Sequence, residues 1–232
     1  MREGVLYGVS VGPGDPELLT LKAVRVIREA DVVAVPDCGG KRQMAYAIAF
    51  EYLVGKQVLD CQTHMTGNRV AANESYTRIA DDICALLDEG KSVAYLSLGD
   101  VSIYSTFAYV QRIVRERGYE TEIIPGVASF CAAAARLGEP LCEGSECLVV
   151  APPFSPYIDQ VLELPATKVF MKSGRQLNVL RDTLGKRGEL EHASMVANCG
   201  LPDERVYPRF ADAEAPAGYF AVVIAKKTDG QK

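Results

Sequence analysis

Three observations predict an α/β fold with two sheets. Short runs of β-branched and apolar residues alternate with stretches whose apolar residues recur at helical spacing. In the first half, apolar runs end in glycine-containing turns that lead into helical stretches, as in a mostly parallel sheet. In the second half, two late strands near residues 205–209 and 219–225 have no helix between them, so that sheet is expected to be mixed. At roughly 100–200 residues per domain, a chain of 232 residues suits two domains. A change of composition after residue 126 places them at 1–118, an N-terminal α/β domain, and 119–232, a C-terminal α/β domain with the mixed sheet.

The elements follow in order. Residues 6–11 read as the first strand. Residues 17–29 read as a helix with Leu19, Ala23, Val26, Ile27 and Ala30 on one face, with Asp15 as its cap and Pro16 at its first position. Residues 32–35 form a short buried strand, 44–53 a helix and 57–59 a strand. The polar, unpatterned stretch 61–69 is a loop. A long helix spans 69–89, with Ile79, Ile83, Leu86 and Leu87 inward. A strand at 92–98, a helix at 105–117 and a strand at 120–124 follow. Residues 127–136 are small and 151–156 proline-rich. A strand at 168–171, a helix at 176–187 and a strand at 194–197 precede the two late strands.

Composition excludes several classes. The net charge of −5 argues against nucleic acid, because phosphate binding needs clustered Lys and Arg. No apolar run approaches the ~18 residues of a membrane span, and Met1-Arg2-Glu3-Gly4 leads straight into a strand pattern, so no signal peptide is expected. The seven cysteines at 38, 61, 84, 131, 142, 147 and 199 form no Cys-x-x-Cys, and two histidines supply no zinc pattern. Reduced thiols in a cytoplasmic protein, without a metal, are the expectation.

Three strand-end motifs carry the chemistry. The first is Gly12-Pro13-Gly14-Asp15-Pro16 between a strand and a helix, where glycines permit a tight turn and close ligand approach and a helix start favours an anion. It matches neither Gly-x-Gly-x-x-Gly nor a P-loop, and a plain structural turn remains open. The second is Leu98-Gly99-Asp100, followed by Ile103 and Tyr104-Ser105-Thr106. Ligands of parallel sheets bind outside the strands' carboxyl ends, so Asp100 either accepts from ligand donors or caps a helix. The third is Pro125-Gly126-Val127-Ala128-Ser129-Phe130, again a strand, a turn and a helix start.

Taken together, these motifs resemble the tetrapyrrole (corrin and porphyrin) methyltransferases over nearly the whole chain. The likeness is strongest to those acting at C20 in cobalamin synthesis, through Tyr104-Ser105-Thr106, Met171-Lys172, Gly174-Arg175, Leu201-Pro202 and Tyr219-Phe220. Val101 stands where proline is common and Ala128 where threonine is common. Pro36 replaces the aspartate of the uroporphyrinogen subgroup. The resemblance implies S-adenosylmethionine as cofactor, in a cleft between two α/β domains and contacting Pro13, Leu98, Gly99, Asp100, Ile103, Ala128, Ser129, Ser173 and Gly200. It also implies a homodimer.

The implied reaction moves a methyl group from a sulfonium to a meso carbon of precorrin-2 or its cobalt complex. That carbon is already electron-rich, so positioning dominates and no catalytic residue is assigned. The substrate's carboxylates call for basic partners, for which Lys41, Arg42, Arg69, Lys172 and Arg175 are candidates. His64, in the polar loop, is a candidate to face the substrate or a bound cobalt. The alternatives are methylation at another ring position, a nicotinamide-dependent oxidoreductase suggested by Asp37 after the second strand, and a non-catalytic sensor.

Overall fold

The structure is a computed structural model that describes residues 4–37, 42–63, 69–174 and 176–226, with the side chains of Arg42, Gln43 and Arg69 left aside. Lys41, His64, Arg175 and the side chains of Arg42 and Arg69, all named above as substrate candidates, lie outside the described residues. The chain divides into two compact units, Met1–Ala128 and Ser129–Lys232.

In the first unit the elements run β1 (Val5–Ser10), α1 (Leu21–Glu29), β2 (Val32–Asp37), α2 (Arg42–Ala49), β3 (Gln57–Gln62), α3 (Arg69–Asp88), β4 (Val93–Ser97), α4 (Phe107–Glu116) and β5 (Glu120–Ile124). The five strands pair in the order β3-β2-β4-β1-β5, all parallel. Parallel strands covered on both faces read as continuous apolar runs, which is why Val32, Val33, Ala34 and Val35 are all fully buried. Alternate residues feed two cores. Leu6, Ala34 and Tyr95 pack with Ile83 of α3 and Phe107 and Val110 of α4. Val9, Val33 and Leu96 pack with Ile27 of α1 and Ile48 of α2. Gly8 is required in β1: a Cβ there would lie 2.3 Å from the Phe107 ring.

The second unit comprises α5 (Ser129–Leu137), β6 (Cys147–Ala151), α6 (Ile158–Glu163), β7 (Ala166–Met171), α7 (Leu177–Lys186), β8 (Ala193–Ala197), β9 (Arg205–Tyr207) and β10 (Ala221–Ala225). Its sheet order is β6-β7-β10-β8-β9. Only β6 and β7 are parallel; β10 runs antiparallel to β7 and β8, and β9 to β8. The sheet is therefore mixed, as expected from the missing helix between the late strands. Phe170, Leu177, Leu180, Leu184, Met195 and Phe210 fill its core.

Four expectations are corrected. The strand at 120–124 pairs with β1, so the first unit extends to Ala128 rather than stopping at 118. The helix expected at 17–29 is two pieces. A short 3-10 turn, Pro16–Leu18, is capped by Asp15, and α1 starts anew at Leu21 with Thr20 accepting from the Ala23 N–H at 3.1 Å. The strand β6 and the short helix α6 were not expected. An edge strand with half-buried side chains next to a proline-rich stretch gives a weak pattern. Finally, β7 begins at Ala166, not Lys168. A lysine inside a strand reads as a boundary, yet here Lys168 is 3% exposed and donates to Glu189 at 3.0 Å, which in turn accepts from Arg187 at 3.0 Å. Among the described residues no helix is long and apolar enough to cross a membrane.

This buried pair makes a stability prediction. Replacing Glu189 with Ala strands the Lys168 ammonium in the core, and removing one partner of a buried pair costs about 3–5 kcal/mol. Urea unfolding should show a loss of that order for Glu189→Ala. A loss below ~1 kcal/mol would mean that Lys168 finds water or another partner.

Candidate functional site

Because β1 lies between β4 and β5 in the first sheet, the turns that follow these three strands stand side by side at their carboxyl ends. Hydrogen bonds stitch them together. The Gly12 and Gly99 backbones form an antiparallel bridge, with Gly99 N–H donating to Gly12 O at 2.7 Å and Gly12 N–H to Gly99 O at 3.3 Å. Both glycines have φ near +75°, a conformation that side-chain-bearing residues adopt at a cost. Ser10, fully buried at the end of β1, donates its hydroxyl to Ile124 O at 2.8 Å and accepts from the Val101 N–H at 2.9 Å. One hydroxyl thus joins all three turns.

The Asp100 carboxylate makes the second cross-link. Its Oδ2 accepts from the Gly126 N–H at 2.8 Å. Its Oδ1 accepts from the Ser102 N–H at 2.8 Å and from the Ser102 hydroxyl. Burial acts to raise its pKa, but the bonds from Gly126 and Ser102 outweigh it and hold the carboxyl below its ordinary value. Asp100 does not cap α4, which begins at Phe107 behind Thr106. Instead, both of its oxygens serve the protein's own donors and clamp the second motif to the third. Gly126 accepts no substitute here, since a Cβ would lie 2.4 Å from the Ser10 Cβ.

The positions expected to contact a cofactor in this unit are Pro13, Leu98, Gly99, Asp100, Ile103 and Ala128. The structure puts Pro13 beside the Gly12–Gly99 bridge and Leu98 to Ile103 in the loop after β4. Ala128 closes the third turn and is buried. The clustered turns, tied backbone to backbone at Gly12 and Gly99, fit a ligand held through main-chain atoms.

In the second unit, β10 runs antiparallel to β7 and β8, so its amino end meets their carboxyl ends. Ser173, after β7, is fully buried and donates its hydroxyl to Phe170 O at 2.9 Å. Gly174 sits so tightly on the chain before β10 that a Cβ would fall 1.4 Å from Gly218 O. After β8, the Gly200 N–H donates to Glu204 at 2.7 Å, and Arg136 of α5 donates to the same carboxylate at 2.7 Å. Burial of Glu204 acts to raise its pKa, yet Arg136 and the Gly200 N–H hold it below its ordinary value. Ser129 is the first residue of α5. Lys172 adopts φ +60°, and its ammonium lies 5.9 Å over the Tyr219 ring, within cation–π range.

Sequence reading missed Ser10, Glu204 and Arg136. For Ser10 a signal existed: it is a polar residue between Val9 and Val11 in an apolar strand, so its hydroxyl needed a partner. Arg136 and Glu204 are far apart in sequence and carried no such signal.

Parallel-sheet turns cross-linked in this way, on a chain of two α/β units, define a class, and the sequence places the chain within it. It belongs to the tetrapyrrole (corrin/porphyrin) methylases, whose family profile matches residues 5–213. It is 33% identical to the "Probable cobalt-precorrin-2 C(20)-methyltransferase" of Methanocaldococcus jannaschii, over 96% of each chain. It is 31% identical to the cobalt-precorrin-2 C(20)-methyltransferase of Salmonella typhimurium, over 97% of each. The crystal structure of the cobalamin biosynthetic enzyme cobalt precorrin-4 methyltransferase, CbiF, has the same fold, with a TM-score of 0.75 at 22% identity, covering 96% of this chain and 94% of that one.

The Asp100 clamp predicts a pH dependence. A carboxyl whose pKa is lower in the folded state stabilises that state above its unfolded pKa of about 3.9, and the contribution disappears as pH falls through the lower folded value. The stability difference between the native chain and Asp100→Asn should be constant near neutrality and shrink below about pH 4. A difference that is flat down to pH 2 would show that the charge contributes nothing to the clamp.

Proposed function

We propose that this chain is an S-adenosylmethionine-dependent C-methyltransferase acting at C20 of precorrin-2 or its cobalt complex in cobalamin biosynthesis. The observation that carries the reading is the clamped cluster of three turns at the carboxyl ends of β1, β4 and β5, on a chain that matches C20-methyltransferases along nearly their full length.

S-adenosylmethionine supplies a methyl group on a sulfonium. In the first unit its contacts are Pro13, Leu98, Gly99, Ile103 and Ala128, with Asp100 holding the turn that presents them. In the second unit its contacts are Ser129, Ser173 and Gly200. Most of these act through backbone atoms, which suits turns whose backbones are fixed to one another at Gly12, Gly99 and Gly126. The protein's task is to hold two molecules in register, a contribution worth up to ~7–11 kcal/mol. The tetrapyrrole's carboxylates need fixed cations, and Lys172 stands where strand-end ligands sit. Lys41, Arg42, Arg69 and Arg175 are its proposed companions. The protein is proposed to act as a homodimer in the cytoplasm. A monomer mass by light scattering at micromolar concentration would contradict the first of these.

Anaerobic incubation with labelled S-adenosylmethionine and either tetrapyrrole should yield a singly methylated product substituted at C20. Methylation elsewhere on the ring, or none, would refute the assignment.

Lys172→Ala tests the substrate side. Alanine keeps the same backbone cost at positive φ, so the fold should hold. The Michaelis constant for the tetrapyrrole should rise at low salt, and the effect should fade as salt screens exposed charge over ~8–10 Å. The affinity for S-adenosylmethionine should stay unchanged. Unaltered tetrapyrrole kinetics at low salt would remove Lys172 from the substrate contacts.

A further inference from the structure

Among the described residues, three that are not glycine take a left-handed backbone: Tyr104 at φ +50°, Lys172 at +60° and Asn198 at +53°. Each stands in a loop that follows the carboxyl end of a strand: β4, β7 and β8 respectively. Asparagine tolerates this region, whereas for a bulky aromatic it is an outlier. Strain of this kind persists only where surrounding structure enforces it, and it gathers at functional sites.

The enforcement around Tyr104 is visible. On one side, the Ile103 N–H donates to Asp100 O at 3.2 Å, and Asp100 is itself clamped to Gly126. On the other side, the Ser105 hydroxyl pairs with the Ser97 hydroxyl at 2.8 Å and accepts from the Phe107 N–H at 3.1 Å. The Thr106 hydroxyl pairs with that of Tyr95 at 3.2 Å. The flanking residues are thus tied to β4 and to the Asp100 turn. Core packing does not explain the tyrosine: Val101 and Phe107 are 1% exposed, whereas Tyr104 is 44% exposed.

We infer that Tyr104 is a substrate-contacting residue, held out at the strand ends so that its ring stacks on the tetrapyrrole plane. This rests on the proposed activity, since a flat conjugated macrocycle is the ligand that an exposed aromatic face suits. Its phenol hydroxyl, protonated near neutrality as any tyrosine's is, adds a neutral donor at the ring edge.

The test compares the native chain with Tyr104→Phe, Tyr104→Ala and Tyr104→Gly. Tetrapyrrole binding is read by absorbance titration, turnover by methyl transfer, cofactor affinity by calorimetry, and stability by thermal unfolding. Stacking of this kind is worth up to about tenfold in affinity. Tyr104→Ala and Tyr104→Gly should raise the tetrapyrrole Kd and KM by about that factor, and Tyr104→Phe by less than about threefold. S-adenosylmethionine affinity should not move. A purely structural tyrosine would instead lower tetrapyrrole and S-adenosylmethionine affinity together. Unchanged tetrapyrrole Kd in Tyr104→Ala, or an equal loss of S-adenosylmethionine affinity, overturns the inference. Native chain that binds the tetrapyrrole without methylating it would refute the proposed activity, and the Kd series would still decide the role of Tyr104.

Discussion

The ligand-side end of the first sheet depends on one buried hydroxyl. Ser10 ends a strand whose core residues are Leu6 and Val9, and its single oxygen both donates to Ile124 and accepts from Val101. Losing it would leave a buried N–H and a buried carbonyl unpaired, each costing about 1–3 kcal/mol. Its position between β4 and β5 follows from strand order, since only the central of three adjacent strands reaches both neighbours. The Asp100 carboxylate then ties the second of these turns to the third a second time. Together these bonds make three loops behave as one rigid surface, the condition for positioning a reactive cofactor by backbone atoms.

The second unit reaches a similar end by other means. Several separate contacts set its loops. Close backbone approach at Gly174 and Gly218, and the Arg136–Glu204–Gly200 chain of hydrogen bonds, set their shapes. The antiparallel β10 brings its own amino end into the group, which a parallel strand would have carried to the opposite edge. The Lys168–Glu189 pair sits in the interior of this sheet. Such a pair adds little net stability, but it penalises any register that separates the two charges.

Much of this was legible in the residues. Helical spacing located α3, α4 and α7 within a few residues, because each buries a continuous apolar stripe. The three strand-end motifs were recognisable because glycine and proline report backbone geometry directly. The start of α1 was misplaced because Asp15-Pro16 is a sound start signal in its own right; it begins a 3-10 turn that Thr20 supersedes. The domain limit was misplaced because nothing local to residues 120–124 tells which sheet they join. Asp100 was read as a cap or a ligand acceptor, since its neighbours in sequence suggest both and its partner Gly126 lies beyond them.

The sequence by itself determined the α/β class, the mixed second sheet, the three turns and the family. The first three follow from periodicity and from residue-specific backbone preferences, which are properties of short stretches, and the family from the likeness of its motifs. Only the tertiary structure decided that β5 closes the first sheet, that Lys168 is buried with Glu189, that Tyr104 stands exposed on a strained backbone, and that Ser10 and Asp100 bind the motifs to one another. The physical reason is separation: Ser10 meets Val101 across 91 positions and Ile124 across 114, and a hydrogen bond between such residues depends on strand order, which no local pattern encodes.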